Sequence, residues 1–343
     1  MTASLLSSGC SQTSIWSVTS EEFIENAPAV PEVTASTLVE TRSGMLIAAW
    51  AGGIIEGHKS TSIWVSRNDG TGWTSGQIVA DGAGADRLPC WNPVLSSTTD
   101  GRLLLYFKVG PSSGEQWIEC LISDDEGLTW KERSRLTDNF TGRSKKKSLL
   151  IDAKKQHSLV ASTGTSESES QLDVNIVEEN SSHPSILAAT TVPNPASFHA
   201  QSPSIIRISP DRLVLLTSTA DGQLASSTST DNGKTWNSLN LVGIELSDSG
   251  IDAISLKQGG ALLVCSLNDS SAPFDNKLKT GGCPLVVFSS QNGLDWTPIL
   301  TLEQKATRYG YDSPSIIQTD DGKVHITYTW NRWRIKHVVL DKN

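Results

Sequence analysis

The sequence is short of apolar residues and of positive charge. Only 37% of its 343 residues are apolar. No run of 18 apolar residues occurs, so no segment is predicted to span a membrane. The chain has 28 Lys and Arg against 37 Asp and Glu, a net charge of −9, which argues against nucleic acid or an anionic membrane as a partner. Met1–Leu6 lacks the basic and apolar regions of a signal peptide, so we expect a cytoplasmic protein.

The cysteines argue against several kinds of site. Five cysteines occur, an odd number, scattered at positions 10, 90, 120, 265 and 283. No CxxC pair and no histidines at metal-ligand spacing accompany them. We therefore predict reduced thiols, no metal site and no cofactor. The sequence also has no Ser-His-Asp order and no Gly-rich phosphate loop.

What the sequence does contain is a repeat of about 55 residues. Six segments share an apolar pair, a polar turn and a second apolar run, and they begin at Leu38, Val94, Leu149, Ile205, Ile254 and Ile316. Some of the turns contain Asp-Gly, as in Asp100-Gly101 and Asp321-Gly322, which between alternating strands indicates a β-hairpin. A low apolar content suits an all-β chain, in which alternate residues face water.

A second repeat interleaves with the first. Ser123–Trp130 and Ser229–Trp236 both read S-x-D-x-G-x-T-W, Ser66–Trp73 and Ser289–Trp296 are degenerate copies, and one copy has decayed near residues 167–180. In each box we expect the Asp to cap backbone N–H groups of a turn, the Gly to adopt positive φ, and the Trp to pack over the hairpin. The boxes are therefore predicted to be structural. The Ser- and Glu-rich stretch Thr163–Ser182 is predicted to be a long loop.

The two repeats together predict the fold. Each period holds four strands, which make one propeller blade, and six periods fill the chain. We therefore predict an all-β protein: a six-bladed β-propeller with four-stranded antiparallel blades, forming a single domain over residues 1-343. The last period supplies only three strands, so Ser14–Val18 is expected to supply the fourth. The N- and C-terminal strands would then pair and close the ring.

Several further motifs accompany the boxes: Trp50-Ala51-Gly52-Gly53, Cys90-Trp91-Asn92-Pro93, Ser249-Gly250-Ile251-Asp252 and Val324–Trp330. Together they resemble the sialidase-like BNR/Asp-box repeat family over nearly the whole chain. The resemblance implies a six-bladed propeller with its site at the central mouth. It does not by itself imply sialidase chemistry, because one fold hosts many functions.

The chain departs from the family pattern at the residues that would clamp a substrate carboxylate. The family's Arg-Ile-Pro motif is absent. An Arg that is usual in the family is replaced by Thr217-Ser218-Thr219. The Arg that usually precedes Pro-Leu is missing from Gly282-Cys283-Pro284-Leu285. Gly310–Pro314 lacks the Glu of Glu-x-Ser-Tyr-Pro and has its Tyr displaced. Lys145–Ser148 retains only part of Lys-Asn-Lys-Pro. Arg offers the fixed two-pronged donor that a carboxylate clamp needs, so we predict that this anion clamp is lost.

The mouth is expected to be built from the loops that enter each innermost strand and leave each second strand. We predict four catalytic candidates there: Glu56 as a general acid, Lys108 to polarise a carbonyl, and Asp252 and Tyr311. The candidates for substrate binding are mostly aromatic or polar: Trp50, His58, Trp91, Asn92, Trp117, Lys145, Gln201, Tyr309, Trp330 and Arg332. Structural alternatives stay open, because a carboxylate can order a loop and a Trp can pack between blades.

Three functions fit these residues. The first is an enzyme of natural-product biosynthesis acting on a largely neutral aromatic or terpenoid small molecule, since an aromatic mouth can hold an apolar ligand. This profile is similar to fungal hetero-Diels–Alderases of tropolonic sesquiterpene pathways, which implies loss of water and then cycloaddition. The second is an exo-glycosidase using two carboxyl groups, Glu56 and Asp252. The third is a non-catalytic sugar- or protein-binding propeller. A homo-oligomer is left open.

Overall fold

The computed structural model describes residues 15–24, 30–82, 87–112, 114–137, 147–163, 171–179, 184–194, 198–268 and 283–342. In these ranges the regular structure consists of twenty-three β-strands. None of the described segments forms an apolar helix of membrane-spanning length. The strands form the six four-stranded antiparallel blades that the repeats predict.

The first three blades are separate four-stranded sheets. Blade 1 consists of β2 (Glu32–Glu40), β3 (Leu46–Gly53), β4 (Ser62–Asn68) and β5 (Gln77–Ala80). Blade 2 consists of β6 (Cys90–Ser97), β7 (Leu103–Ser112), β8 (Glu115–Ser123) and β9 (Lys131–Arg135). Blade 3 consists of β10 (Leu149–Asp152), β11 (His157–Thr163), β12 (Leu172–Glu178) and β13 (Ser185–Thr191).

Blades 4 and 5 are joined through one long strand, so they form a seven-stranded sheet. Blade 4 consists of β14 (Gln201–Ser209), β15 (Arg212–Ser218), β16 (Gln223–Ser229) and the first part of β17 (Asn240–Ser255). β17 pairs with β16 as far as Glu245 and with the next strand from Leu246 onward. Blade 5 adds β18 (Ala261–Leu267), β19 (Leu285–Ser290) and β20 (Thr297–Glu303) to the second part of β17.

Blade 6 combines both ends of the chain. It consists of β21 (Tyr311–Gln318), β22 (Val324–Trp330), β23 (Arg334–Lys342) and the first strand, β1 (Trp16–Ile24). β1 pairs antiparallel with β23, from Trp16 opposite Lys342 to Ile24 opposite Ile335. The predicted pairing of the terminal strands is confirmed, although β1 extends beyond the predicted end at Val18.

The boxes form the turns between third and fourth strands, and they make the capping contacts that the sequence predicts. In blade 2 the Ser123 hydroxyl donates to Asp125 (2.8 Å), and the N–H groups of Gly127 and Thr129 donate to Ser123 (2.8 Å) and Asp125 (2.9 Å). Gly127 has a φ of 77°, the left-handed conformation that the turn requires. In blade 4 the indole N–H of Trp236 donates to the carbonyl of its own turn.

The prediction of a loop over Thr163–Ser182 was wrong for Leu172–Glu178, which form strand β12, whereas residues 164–170 and 180–182 lie outside the described residues. The strand buries Leu172, Val174 and Val177 against its neighbours. The stretch is polar as a whole, but β12 itself alternates apolar and polar residues, which is the pattern of a half-buried strand.

The inner strands share a kink near their first residues. In five blades the register with the second strand shifts there, and one residue adopts a left-handed backbone conformation. These residues are Ala35, Asn92, Ser202, Gly250 and Ser313, with φ between 46° and 80°. The kinks of blades 1 and 6 are in contact, because the hydroxyl of Ser36 donates to the carbonyl of Ser313 (3.3 Å). These register shifts are β-bulges, and they bend each of these five inner strands near its beginning.

Candidate functional site

The mouth lies at the end of the propeller where the inner strands begin and the second strands end. Successive strands of a blade run in opposite directions, so the third strand of each blade ends away from the mouth. Each box follows a third strand, and the box turns therefore lie at the end opposite the mouth. Near blades 6 and 1 the mouth consists of the start of β2, the β3–β4 loop (residues 54–61), and the β22–β23 turn (residues 331–333).

An ion cluster joins these three segments. The guanidinium of Arg332 contacts the carboxylates of Glu32 (3.0 Å) and Glu56 (3.2 Å), and the backbone N–H of Glu56 donates to Glu32 (3.2 Å). The carbonyl of Arg332 accepts from the N–H of Val33 (2.9 Å). Burial alone would lower the pKa of Arg332, but Glu56 and Glu32 reverse this effect and raise it. Two carboxylates therefore compensate the charge of this guanidinium.

Large apolar side chains stand exposed beside the ion cluster. Ile54 and Ile55 are 59% and 55% exposed, and Trp333 is 55% exposed. The Arg332–Glu56 contact brings the β3–β4 loop and the β22–β23 turn together. We call Ile54, Ile55 and Trp333 the apolar rim. Exposed apolar groups next to a compensated charge favour ligands with little net charge.

Two aromatic residues that were predicted to bind substrate, Trp330 and Tyr309, lie near the apolar rim. Trp333 packs against Trp330 (ring centroids 6.3 Å apart), which in turn contacts Phe23 (5.5 Å). Tyr309 is partly exposed, with the guanidinium of Arg308 above its ring (5.0 Å).

The β3–β4 loop lies directly on Trp91. Gly57, which has a φ of 81°, is so close to this indole that a Cβ atom would be 2.7 Å from the ring. The neighbouring His58 contacts the hydroxyl of Ser60 through Nδ1 (2.8 Å), which orders the loop. Trp50 is fully buried in the core between blades 6 and 1.

Asp252 is placed at the axis, where it joins four blades. Its carboxylate accepts from the hydroxyl of Ser204 (3.1 Å) in blade 4 and from the N–H of Ile316 (3.0 Å) in blade 6. It also pairs with the ammonium of Lys147 (3.0 Å), which enters from blade 3 and contacts the carbonyl of Ile316. Asp252 is 1% exposed. These contacts make it a bridge between blades, and its predicted catalytic role remains a prediction.

Two further predicted residues, Asn92 and Lys108, line a narrow cleft between blades 2 and 3. The lower part of the cleft holds Glu179, whose carboxylate accepts from the hydroxyls of Tyr106 (3.1 Å) and Ser158 (2.8 Å). Burial raises the pKa of Glu179. Sequence reasoning missed this residue, although it directly follows β12, where the box of blade 3 is absent.

The remaining predicted residues lie apart from the ion cluster. Tyr311 is buried, donates to the carbonyl of Lys305 (2.6 Å), and has its pKa raised by burial. The indole of Trp117 donates to Glu119 (2.7 Å) beneath the guanidinium of Arg135. The carbonyl of Gln201 accepts from Thr217 (2.8 Å). Lys145 lies outside the described residues.

The described residues hold no group of three or more His, Cys, Asp and Glu side chains suited to a metal ion. Four cysteines are described, and all four are buried thiols that form no disulfide within the described residues: Cys90, Cys120, Cys265 and Cys283. Burial raises the pKa of Cys90 and Cys120 to about 12, so these thiols are protonated at neutral pH.

Solved structures share the fold at low sequence identity. A protein of unknown function from Dyadobacter fermentans DSM 18053 has a TM-score of 0.76 and 14% identity over 96% of this chain and 99% of that chain. The NanB sialidase from Streptococcus pneumoniae has a TM-score of 0.69 and 12% identity, covering 93% and 70%. The intramolecular trans-sialidase from Ruminococcus gnavus has a TM-score of 0.69 and 13% identity, covering 91% and 95%. At these identities the likeness shows the fold alone.

No curated protein matches the chain in a sequence search. The family described as "BNR repeat-like domain" does match, over residues 44–326. This match covers most of the chain and agrees with the sialidase-like propeller described above. The chain therefore belongs to the BNR repeat-like family and is a divergent, sialidase-like member of it.

Proposed function

We propose that this protein is an enzyme that binds a largely neutral small molecule at the propeller mouth. The observation that carries the proposal is the pairing of Arg332 with both Glu32 and Glu56. A guanidinium held by two carboxylates is not a strong clamp for a third, because the added anion would meet their negative charge. Binding energy at this mouth must therefore come mainly from apolar contact and neutral hydrogen bonds.

The apolar rim supports an aromatic or terpenoid substrate. Ile54, Ile55 and Trp333 offer exposed apolar surface within reach of the polar atoms of the ion cluster. Such a combination of apolar walls and few polar groups is typical of small-molecule sites. We propose that the reaction is loss of water from a hydroxymethyl precursor followed by cycloaddition of the resulting quinone methide with an alkene. Holding the two reactants side by side would supply most of the acceleration.

The test is an assay of purified protein with a hydroxymethyl tropolone and a macrocyclic alkene. We expect faster consumption and a product ratio that differs from the uncatalysed one. Trp333→Ala should raise KM at least about tenfold, because it removes exposed aromatic contact area. Leu128→Ala, which removes an exposed apolar residue in the box of blade 2, is the matched control. A product ratio equal to that without protein would refute the proposal.

A glycosidase is the second candidate, and one observation favours it. Glu32 and Glu56 bring two carboxyl groups to one place at the mouth, and retaining and inverting glycosidases both use a carboxyl pair. A panel of neutral aryl glycosides separates the two functions. Chromophore release that Glu56→Gln abolishes would establish the glycosidase and remove the first proposal. Tight sugar binding without turnover of any substrate would instead indicate a binding protein.

A further inference from the structure

Arg332 occupies a backbone position that does not favour an arginine. The turn between β22 and β23 is closed by a hydrogen bond from the N–H of Trp333 to the carbonyl of Trp330 (3.0 Å). Its two central residues, Asn331 and Arg332, have φ of 51° and 57°. Turns with two residues at positive φ prefer Asn, Asp or Gly there, so Asn331 fits the turn and Arg332 is strained. Strain of this kind is concentrated at functional sites.

Backbone contacts hold this turn in place. The N–H of Asn331 donates to the carbonyl of Gly310 (2.8 Å), and its side-chain carbonyl accepts from the N–H of Tyr309 (3.0 Å). The carbonyl of Arg332 accepts from the N–H of Val33 (2.9 Å). These three contacts do not involve the guanidinium. They fix the position of residue 332, but they do not account for an arginine there.

The guanidinium of Arg332 lies among carboxylates at the inner edge of the mouth. Glu32 is the first residue of β2 and Asp312 the second of β21, the innermost strands of blades 1 and 6. Glu56 belongs to the β3–β4 loop. Burial lowers the pKa of Arg332, whereas Glu56, Glu32 and Asp312 raise it, and the rise prevails. The guanidinium is therefore charged, and its positive charge is outnumbered by the negative charges around it.

One edge of the guanidinium is not used by this ion cluster. Glu32 and Glu56 both contact Nη1, at 3.0 Å and 3.2 Å. Within the described residues Nε and Nη2 donate to no acceptor. The side chain of Arg332 is 33% exposed, so a ligand can reach it. The N–H groups of Nε and Nη2 point the same way in the guanidinium plane, and they match a pair of adjacent oxygen atoms.

We propose that the Nε–Nη2 edge of Arg332 binds two adjacent neutral oxygens of the ligand, a hydroxyl beside a carbonyl or beside a second hydroxyl. The inference rests on the proposed function and identifies the polar end of its substrate. Glu32, Glu56 and Asp312 select against a carboxylate, because they would repel an anion at this edge. The apolar rim adjoins the edge, since Trp333 directly follows Arg332 in the chain, and would contact the rest of the ligand.

The test compares the wild type with Arg332→Lys by isothermal titration calorimetry at neutral pH. Lysine keeps the charge that compensates Glu32 and Glu56 but lacks the two-pronged edge. The ligands are catechol, which has two adjacent hydroxyls on a planar ring, and phenol, which has one. We expect the wild type to bind catechol at least about tenfold more tightly than phenol, and Arg332→Lys to lose this preference.

The matched control is Arg334→Lys, the same change in the first residue of β23. The guanidinium of Arg334 lies over the ring of Phe23 (5.2 Å) rather than in the ion cluster. This variant should keep the wild-type preference for catechol. Should Arg332→Lys not fold, Arg332→Gly replaces it, because glycine adopts positive φ without strain, and the same loss of preference is expected.

Two further ligands distinguish the possible sources of the oxygen pair. Methyl α-D-mannopyranoside has a vicinal diol on a puckered ring, and benzoate has two oxygens on an anion. We expect both to bind more weakly than catechol. Mannoside binding that Arg332→Lys abolishes, together with no binding of catechol, would support the role of Arg332 and overturn the aromatic substrate of the proposed function. Tighter binding of benzoate than of catechol would overturn the inference.

The remaining outcomes separate this inference from the proposed function. Equal binding of catechol and phenol by the wild type would overturn the role of Arg332. A preference that Arg332→Lys keeps, or that Arg334→Lys loses equally, would do the same, as would a wild type that binds neither catechol nor the mannoside. The proposed function is decided separately, by the product ratio of its own assay.

Discussion

Replacement of His325 should change how the stability of the protein depends on pH. His325 is buried, its Nδ1 lies 3.0 Å from Nε2 of His337, and the two imidazole rings are stacked (centroids 5.2 Å apart). His337 in turn contacts Glu22 of β1 (3.1 Å) and accepts from the indole N–H of Trp73 (3.2 Å). The pair therefore connects blade 6, the N-terminal strand and the box turn of blade 1.

The magnitude follows from the burial of His325. Burial, and then the neighbouring His337, lower the pKa of His325 from 6.5 to about 4; Asp321 opposes this shift, and Lys323 adds to it. A pKa that is lower in the folded state means that the unfolded chain binds the proton first as the pH falls. The neutral side chain of His325 therefore makes its full contribution to the unfolding free energy above pH 6.5. This contribution is lost as the pH falls from 6.5 to 4. Each pH unit costs about 1.4 kcal/mol, so about 2 kcal/mol is lost by pH 5.

The assay is urea unfolding of the wild type and His325→Gln at intervals between pH 7.5 and 5. The variant cannot titrate at this position, so its unfolding free energy should fall by about 2 kcal/mol less than that of the wild type over this range. Trp236→Phe removes the indole hydrogen bond of the box in blade 4, whose acceptor is a backbone carbonyl rather than a titrating group, and it should lower stability without changing the pH dependence. Equal pH dependence in the wild type and His325→Gln would refute the reasoning.

Two further predictions concern the stability of the propeller. Lys147→Met leaves the buried Asp252 carboxylate without its cation and should cost about 3 kcal/mol in urea unfolding, whereas adding Asp252→Asn to it should recover part of the loss. Stability equal to the wild type would contradict the bridging role of this pair. Gly233→Ala should cost about 2 kcal/mol, because Gly233 has a φ of 86° and an added Cβ would lie 2.6 Å from Leu159. Gly243→Ala, also at positive φ but in open space, should cost less; an equal loss would show that the crowding is unimportant.

The local sequence was enough to predict the blades. The Asp-Gly turns, the box residues Ser123 and Asp125, and the spacing of the apolar pairs all act within one hairpin, so their effects can be read along the chain. The pairing of β1 with β23 followed from counting strands. The error at β12 has a local cause as well, because the polar composition of Thr163–Ser182 outweighed its short apolar alternation.

Topology also predicted which loops meet at the mouth, and the structure brings Glu56, Arg332 and Trp91 into this region. It could not predict that Glu32 completes the ion cluster or that Asp252 pairs with Lys147. Each of these pairs joins different blades, so the partner lies far away in sequence and its distance depends on how the blades are oriented.

The sequence by itself determined the number of blades, their four-stranded form and the hairpin boxes, because hydrogen bonding and alternation act between near neighbours. Only the tertiary structure decided which charges are compensated and which are buried. The pairing of Arg332 with two carboxylates, and the enclosure of Glu179 by hydroxyls from two blades, depend on packing between distant segments. The desolvation and charge of these groups, and therefore their chemistry, are set by that packing.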